Sequence, residues 1–296
     1  MIRRRHGDGY AVIRQDDHAR LCGDLLRHWG TARFPRPEPF ADVLAAVVLH
    51  DCGWATLDDA PVPTSDGRPP DVFDPPPRPA APTLPGPTDA GGSAQWASLE
   101  RLLSAWARSA ELAAVAGPWA QLLVSVHALT LSAYAAGRAT TLPLRFLFNR
   151  FQHGQIELQE RLRRQLGMSL EWPLTHGLAD LSTAPDARGD ELEMRLIHHY
   201  RHLQALDLLS LAVCCQTPPT DRSGPLTDDG EALRWQLRPG EPQPTLWVSP
   251  WPFAVERLEL RLAVHVLGRG PYADRAVLAE ALGHAPADVL EMVLVP

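Results

Sequence analysis

The sequence predicts a mainly α fold, a helical bundle with a short N-terminal β-hairpin and a C-terminal β-containing extension. Three observations predict it. Apolar residues recur at helical spacing through much of 16–216, two short apolar runs flank a turn within the first 15 residues, and beyond about residue 225 the period changes to alternation. The expected organisation is a hairpin over 1–15, a helical domain over 16–216 with a proline-rich loop at 58–92, and an extension over 217–296 packed on the same domain. At 296 residues the chain can bury a substantial core.

The elements follow in order. "MIRRR" and "YAVIR" flank the turn-prone "HGDG", which reads as a hairpin. "QDDHARLCGDLLRHWG" reads as a helix capped by Asp16 or Asp17 and ended by Gly30. "PFADVLAAVVLHDCG" reads as a second helix, with Phe40, Val43, Val47 and His50 on one stripe and Gly53 as its stop. Between Pro61 and Pro87 proline fills 11 of 27 positions, which forbids helix and predicts an extended surface loop. Within it, "DGRPPDVFD" carries an apolar pair and three acids, favouring a packed segment. Helical spacing resumes at Trp96, Leu99, Leu103 and Trp106, and Pro118 opens another helix at a favourable first-turn position. Further helices are expected at about 143–166 and 189–216. "LRWQLR", "TLWVSPW" and "VERLELRLAVHVL" then read as strands, followed by a short helix near "DRAVLAEAL" and a closing apolar "VLEMVLV".

Composition narrows the function. A net charge of -7 argues against nucleic acid, which needs a concentrated basic face. No apolar run is read as approaching the roughly 20 residues that cross a bilayer, and the N-terminus lacks a signal-peptide core, so no membrane partner and a cytoplasmic location are expected. Cys22 and Cys52 stand alone and Cys214 and Cys215 are adjacent, so there is no CxxC pair and reduced, buried thiols are expected.

The chemistry lies in the helical part. His50 and Asp51 end an apolar helix, where adjacent side chains can splay toward one cation and the helix dipole favours positive charge. An imidazole beside a carboxylate suits a divalent ion such as iron, manganese, zinc or magnesium. Other polar residues stand on apolar faces: His18 with Leu21, Cys22, Leu25 and Trp29, His127 with Ala120, Leu123, Val124, Leu131 and Tyr134, and Asp207 within "LQALDLLSLAVCC". A carboxylate among leucines is costly unless paired or metal-bound. On the last helix Tyr200 and Gln204 share the Asp207 face and are expected to contact substrate or orient Asp207, while His198, His199 and His202 are expected at the periphery. Asp58 is a further candidate from the loop, beside a simpler turn role for it and Asp59. Arg145 and Arg150 are weighed as anion contacts against a plain wet helix face.

His18, His50-Asp51 and Asp207 match in order the pattern of the HD superfamily of metal-dependent phosphohydrolases, and "VLHDCGW" resembles its "LLHDxGK" element. "IRQDDHARLCGDLLRHWG", "FPRPEPFADVLAAVVLHDCGWATLDDAP" and "LQALDLLSLAVC" resemble more closely the uncharacterised bacterial domain of unknown function 3891 family, itself held to be HD-like. The resemblance implies an HD-domain-like helical bundle with a divalent ion held by His18, His50, Asp51 and Asp207. It implies hydrolysis of a phosphoester by activated water, with Asp51 and His127 as the catalytic residues and His127 also a substrate contact. Trp54 stands where the superfamily usually carries a lysine or arginine, and Cys52 where the closer family tends to have an acid. Two alternatives stay open: a mixed-valent di-iron HD-type oxygenase, which His127 would serve, and a non-catalytic metal-stabilised ligand-binding or interaction module. The expected partner is a small anionic substrate, and the chain is compatible with a homodimer.

Overall fold

The computed structural model describes residues 1–72, 74, 90–137, 139, 141–170, 191–215, 233–238 and 244–296. Strands β1 (Ile2–His6) and β2 (Gly9–Ile13) form the hairpin, and helices α1 (Gln15–His28) and α2 (Phe40–Leu49) follow. After α2 come a single 3-10 turn, Cys52–Trp54, and the short α3 (Ala55–Asp59). The helical layer continues with α4 (Ala90–Leu112), α5 (Pro118–Ala136), α6 (Leu142–Gln165) and α7 (Glu191–Cys214). Strands β3 (Arg234–Arg238), β4 (Thr245–Ser249) and β5 (Leu258–Leu267), helix α8 (Arg275–His284) and strand β6 (Ala287–Val295) complete the chain.

The fold class differs from the expected helical bundle with two separate β appendages. All six strands form one mixed sheet, ordered β1-β2-β5-β6-β4-β3 and curling into a half-barrel. The hairpin is joined to the C-terminal strands because β2 pairs antiparallel with β5, Val12 opposite His265, and β4 runs parallel to β6. Pairing across some 250 positions leaves no local mark, so each end reads as its own small β element. The architecture is helical layer on sheet, not an all-α bundle.

Alternation places the sheet on the helices. Leu258, Leu260, Leu262 and Val264 of β5 turn inward and join Ile2, Ile13, Leu246 and Leu294 in one core with Leu25, Val47, Leu123 and Leu206. On the other face Tyr10, Val12 and Leu267 pack against Leu278 of α8, which Asp274 caps by accepting from Val277 N–H. Only Arg14 separates β2 from α1, so the sheet fixes where α1 begins.

Local details depart from the expected caps. Arg14, not an aspartate, is the N-cap of α1, while Asp16 and Asp17 lie in the first turn, where their charge complements the free amides. Helix α1 ends at His28 with Trp29 as its C-cap, and Gly30 follows at φ 143°, in the position expected of the glycine that ends it. Helix α2 ends at Leu49 with His50 as its cap, so Gly53 does not stop it. A Cβ at Gly53 would lie 2.2 Å from the Ala105 carbonyl oxygen and 2.5 Å from Ser109 N; the glycine admits the α4 backbone. The span Phe40–Asp59, with mean hydropathy 1.4, is apolar and long enough to cross a membrane by composition, contrary to the expectation. It is broken after Leu49, and α2 packs against α1, α5 and α7.

Candidate metal centre

Three helices and one turn converge on Asp207. Helix α1 brings His18, whose Nε2 lies 3.0 Å from Asp207 Oδ1. The end of α2 brings His50, with Nε2 3.5 Å from Asp51 Oδ2 and 3.7 Å from Asp207 Oδ1. Helix α5 brings His127, with Nε2 3.8 Å from Asp207 Oδ2. The α1–α2 approach depends on Gly23, where a Cβ would come within 2.5 Å of Val48 Cγ2.

Hydrogen bonds fix the two nearer imidazoles. The Ser210 hydroxyl donates to the His18 carbonyl at 3.1 Å, so His18 Nδ1–H donates to the same Oγ at 2.8 Å, which turns Nε2 toward Asp207. His50 Nδ1–H donates to the Val47 carbonyl at 2.7 Å, and Nε2 points at the carboxylates without a hydrogen-bond partner. Lone pairs aimed at carboxylate oxygens are mutually repulsive until a proton or a cation stands between them. In the metal-free protein a proton takes that place. Burial opposes charge on His50, but Asp51 and Asp207 outweigh it and raise the imidazole to about 9. Desolvation likewise opposes charge on Asp207, yet His18 and His50 hold its carboxyl well below the usual range. At 3.7 Å the His50 contribution is electrostatic attraction rather than a hydrogen bond.

His127 is built differently. Burial lowers it to about 4, and its Nδ1 is buried without a partner. Its ring lies 5.2 Å from His50 and 6.4 Å from Tyr200. The three histidine side chains are at most 3% exposed, whereas those of Asp51 and Asp207 are 10% and 11% exposed. The cluster therefore opens on its carboxylate side.

His18, His50, Asp51 and Asp207 are thus brought together, with His127 beside them. Tyr200 is buried near His127, its phenol pushed up by burial and hydrogen-bonded to Thr130. Gln204 is half-buried on α7 a turn before Asp207. Asp58 is buried elsewhere, accepting from Gln15 N–H at 2.7 Å and paired with the Met1 amino group, while exposed Asp59 pairs with Arg14. Arg145 is not aimed at the site, since its Nε donates to the Ala139 carbonyl. His199 and His202 are buried, each against another partner: Trp119 Nε1–H donates to His199 Nδ1, and His202 packs on Trp29. Helix α7 is enclosed on most sides, so periodicity could not sort its faces.

Sequence reasoning missed the supporting atoms: Ser210, the Val47 carbonyl and Trp54, whose Nε1–H donates to Asp51 Oδ1 at 3.1 Å. Only the i, i+3 spacing from Asp51 to Trp54 could have pointed to that last bond. Cys22 also lies near, its ligand atom within 4.8 Å of His18 and His50. Its thiol donates to the Leu206 carbonyl, and burial raises its pKa well above the ordinary value, which keeps it neutral in the metal-free protein.

A helical layer on a curled mixed sheet, with two histidines and two carboxylates converging from separate elements, defines an α+β protein with a buried site suited to a divalent cation. The chain belongs to the family described as Protein of unknown function (DUF3891), whose model matches residues 1–269, short of α8 and β6. No curated protein and no solved structure matches the chain.

Proposed function

We propose that the protein is an HD-like metal-dependent phosphohydrolase acting on a small phosphoester. The observation that carries this reading is the convergence of His18, His50, Asp51 and Asp207, with the buried His50 Nε2 aimed at two carboxylates and bonded to nothing. The donors fit a borderline or hard divalent ion: two imidazole nitrogens with fixed tautomers and two carboxylates that offset its charge. A divalent ion held there would lower the pKa of a bound water and polarise a phosphoryl oxygen. The residues' own part is positional. Ser210 and Val47 turn Nε2 of His18 and His50 inward, and the exposed edges of Asp51 and Asp207 leave an approach for water and substrate, against a closed structural site. Asp51 would accept the proton of the attacking water as the P–O bond to the leaving alcohol breaks, the leaving oxygen would take its proton from solvent on the open carboxylate side, and neutral His127 would contact the substrate across the site.

A second reading rests on His127. As a third imidazole facing Asp207 Oδ2, it would extend the donor set to a di-iron centre and an oxygenase. Metal analysis of the pure protein beside Asp51→Ala, followed by a phosphoester panel, tests both. The native protein is expected to bind a divalent ion with micromolar or better affinity, Asp51→Ala at least about tenfold more weakly, and phosphoester turnover should follow the metal. Metal binding without hydrolysis, together with a visible band on iron loading, would favour the oxygenase; absence of metal binding would overturn both readings.

A further inference from the structure

Three of the convergent residues are held from behind by a hydrogen bond: His18 by the Ser210 hydroxyl, His50 by the Val47 carbonyl and Asp51 by the Trp54 indole. The backbone leaves α2 with Asp51 at φ -118° and ψ 15°, and Trp54 N–H donates to the Asp51 carbonyl at 3.1 Å. This tight turn carries the Trp54 indole back over the Asp51 carboxylate, where Nε1–H donates to Oδ1. The other oxygen, Oδ2, is then the one that faces His50 Nε2.

The indole rests on a rigid support. Trp54 is buried in a cluster with Leu103, Trp106 and Phe148, and the preceding residue, Gly53, lies directly against the α4 backbone. The Ser109 hydroxyl accepts from Gly53 N–H at 2.9 Å, tying the turn to α4. An aspartate carboxyl rotates in a broad, roughly two-fold well, so a free Asp51 would spread its oxygens over several orientations. A donor fixed to one oxygen removes that freedom before any ion arrives.

We propose that Trp54 is a positioning residue for the metal centre: its indole N–H holds Asp51 Oδ1 so that Oδ2 is preset toward the cation shared with His50. This rests on the metal-centre reading above and adds a function for a residue that touches neither ion nor substrate. The coupling should be visible as a thermodynamic cycle, because a side chain acting through Asp51 has nothing to act on once Asp51 is gone.

Zinc dissociation constants are to be measured for the full-length protein, Trp54→Phe, Asp51→Ala and the double variant. Phenylalanine keeps an aromatic ring in the cluster and removes the donor. Trp54→Phe is expected to weaken zinc about 10–100-fold in the native background, and by less than about threefold in the Asp51→Ala background. Should Trp54→Phe fail to fold, benzothienylalanine placed at residue 54 preserves both rings without the N–H, and the same loss is expected. Zinc binding as tight as native in either replacement, or an equal loss in both backgrounds, would overturn the proposal and leave the metal centre standing. A native protein that binds none of zinc, iron(II), manganese(II) or magnesium would overturn the metal centre and the proposal together.

Discussion

Asp207 shows at the scale of one residue how the histidines divide. His50 is raised to about 9 and His127 is lowered to about 4, although both face the same carboxylate, because His50 also has Asp51 within 3.5 Å. The stability consequences have opposite signs. A folded-state value above the ordinary 6.5 gives a contribution that is full below pH 6.5 and lost as pH rises through about 9. Burial lowers His127, His199 and His202, to about 4, 3 and 4, so the unfolded chain takes up protons the native chain refuses, and stability falls from pH 6.5 down toward 4. The metal-free protein is expected to be most stable near pH 6.5, with urea midpoints declining on both sides; a midpoint that holds level from pH 6.5 to 9 would refute the His50 assignment. Metal binding at pH 7 should release about one proton, the one His50 holds, as calorimetry in buffers of different ionisation enthalpy would report. The four clustered positions were legible because His18, His50 and Asp207 are polar residues on apolar stripes and Asp51 adjoins His50 at a helix end. The bonds that aim them were not, since Ser210 and Trp54 are unremarkable as residue types and matter only through contacts made after folding.

Two glycines carry the element scale. The sequence marks Gly53 as a helix stop, yet the structure uses it for contact with α4, and a stop and a close approach leave the same letter in the chain. Gly53→Ala would put a Cβ 2.2 Å from a backbone oxygen that cannot turn aside, with an expected loss of about 1–3 kcal/mol and a weakened metal site, since the Asp51–Trp54 turn must move. Gly23→Ala meets instead a side-chain methyl, Val48 Cγ2, and it gains roughly 0.8–1 kcal/mol of helix propensity, so its net loss should be smaller than that of Gly53→Ala. Thermal midpoints of the two variants check the order; equal losses would contradict it. Most helices were legible for their periodic apolar faces; α7 was legible as a helix, but its faces could not be sorted because it is enclosed on most sides.

At the scale of the molecule, the sheet and the candidate metal centre are mechanically continuous. Strand β2 is clamped between β1 and β5, and Arg14 alone separates it from the helix that carries His18. Zinc is therefore expected to slow amide hydrogen exchange in β2 and α1, not only beside the ligands; protection confined to α2 and α7 would count against that continuity. The strands themselves were legible from alternation, whereas their union in one sheet was not, because partner choice across the chain is a tertiary outcome. That same pairing bears on how the protein is made. The open edge of β2 must await β5, whose first residue is synthesised 245 positions after Ile13, or about 12–50 s at ordinary translation rates. Until β5 is made the nascent chain holds an unpaired strand edge, and His18 must wait for Asp207, made 189 positions after it, before the cluster can assemble.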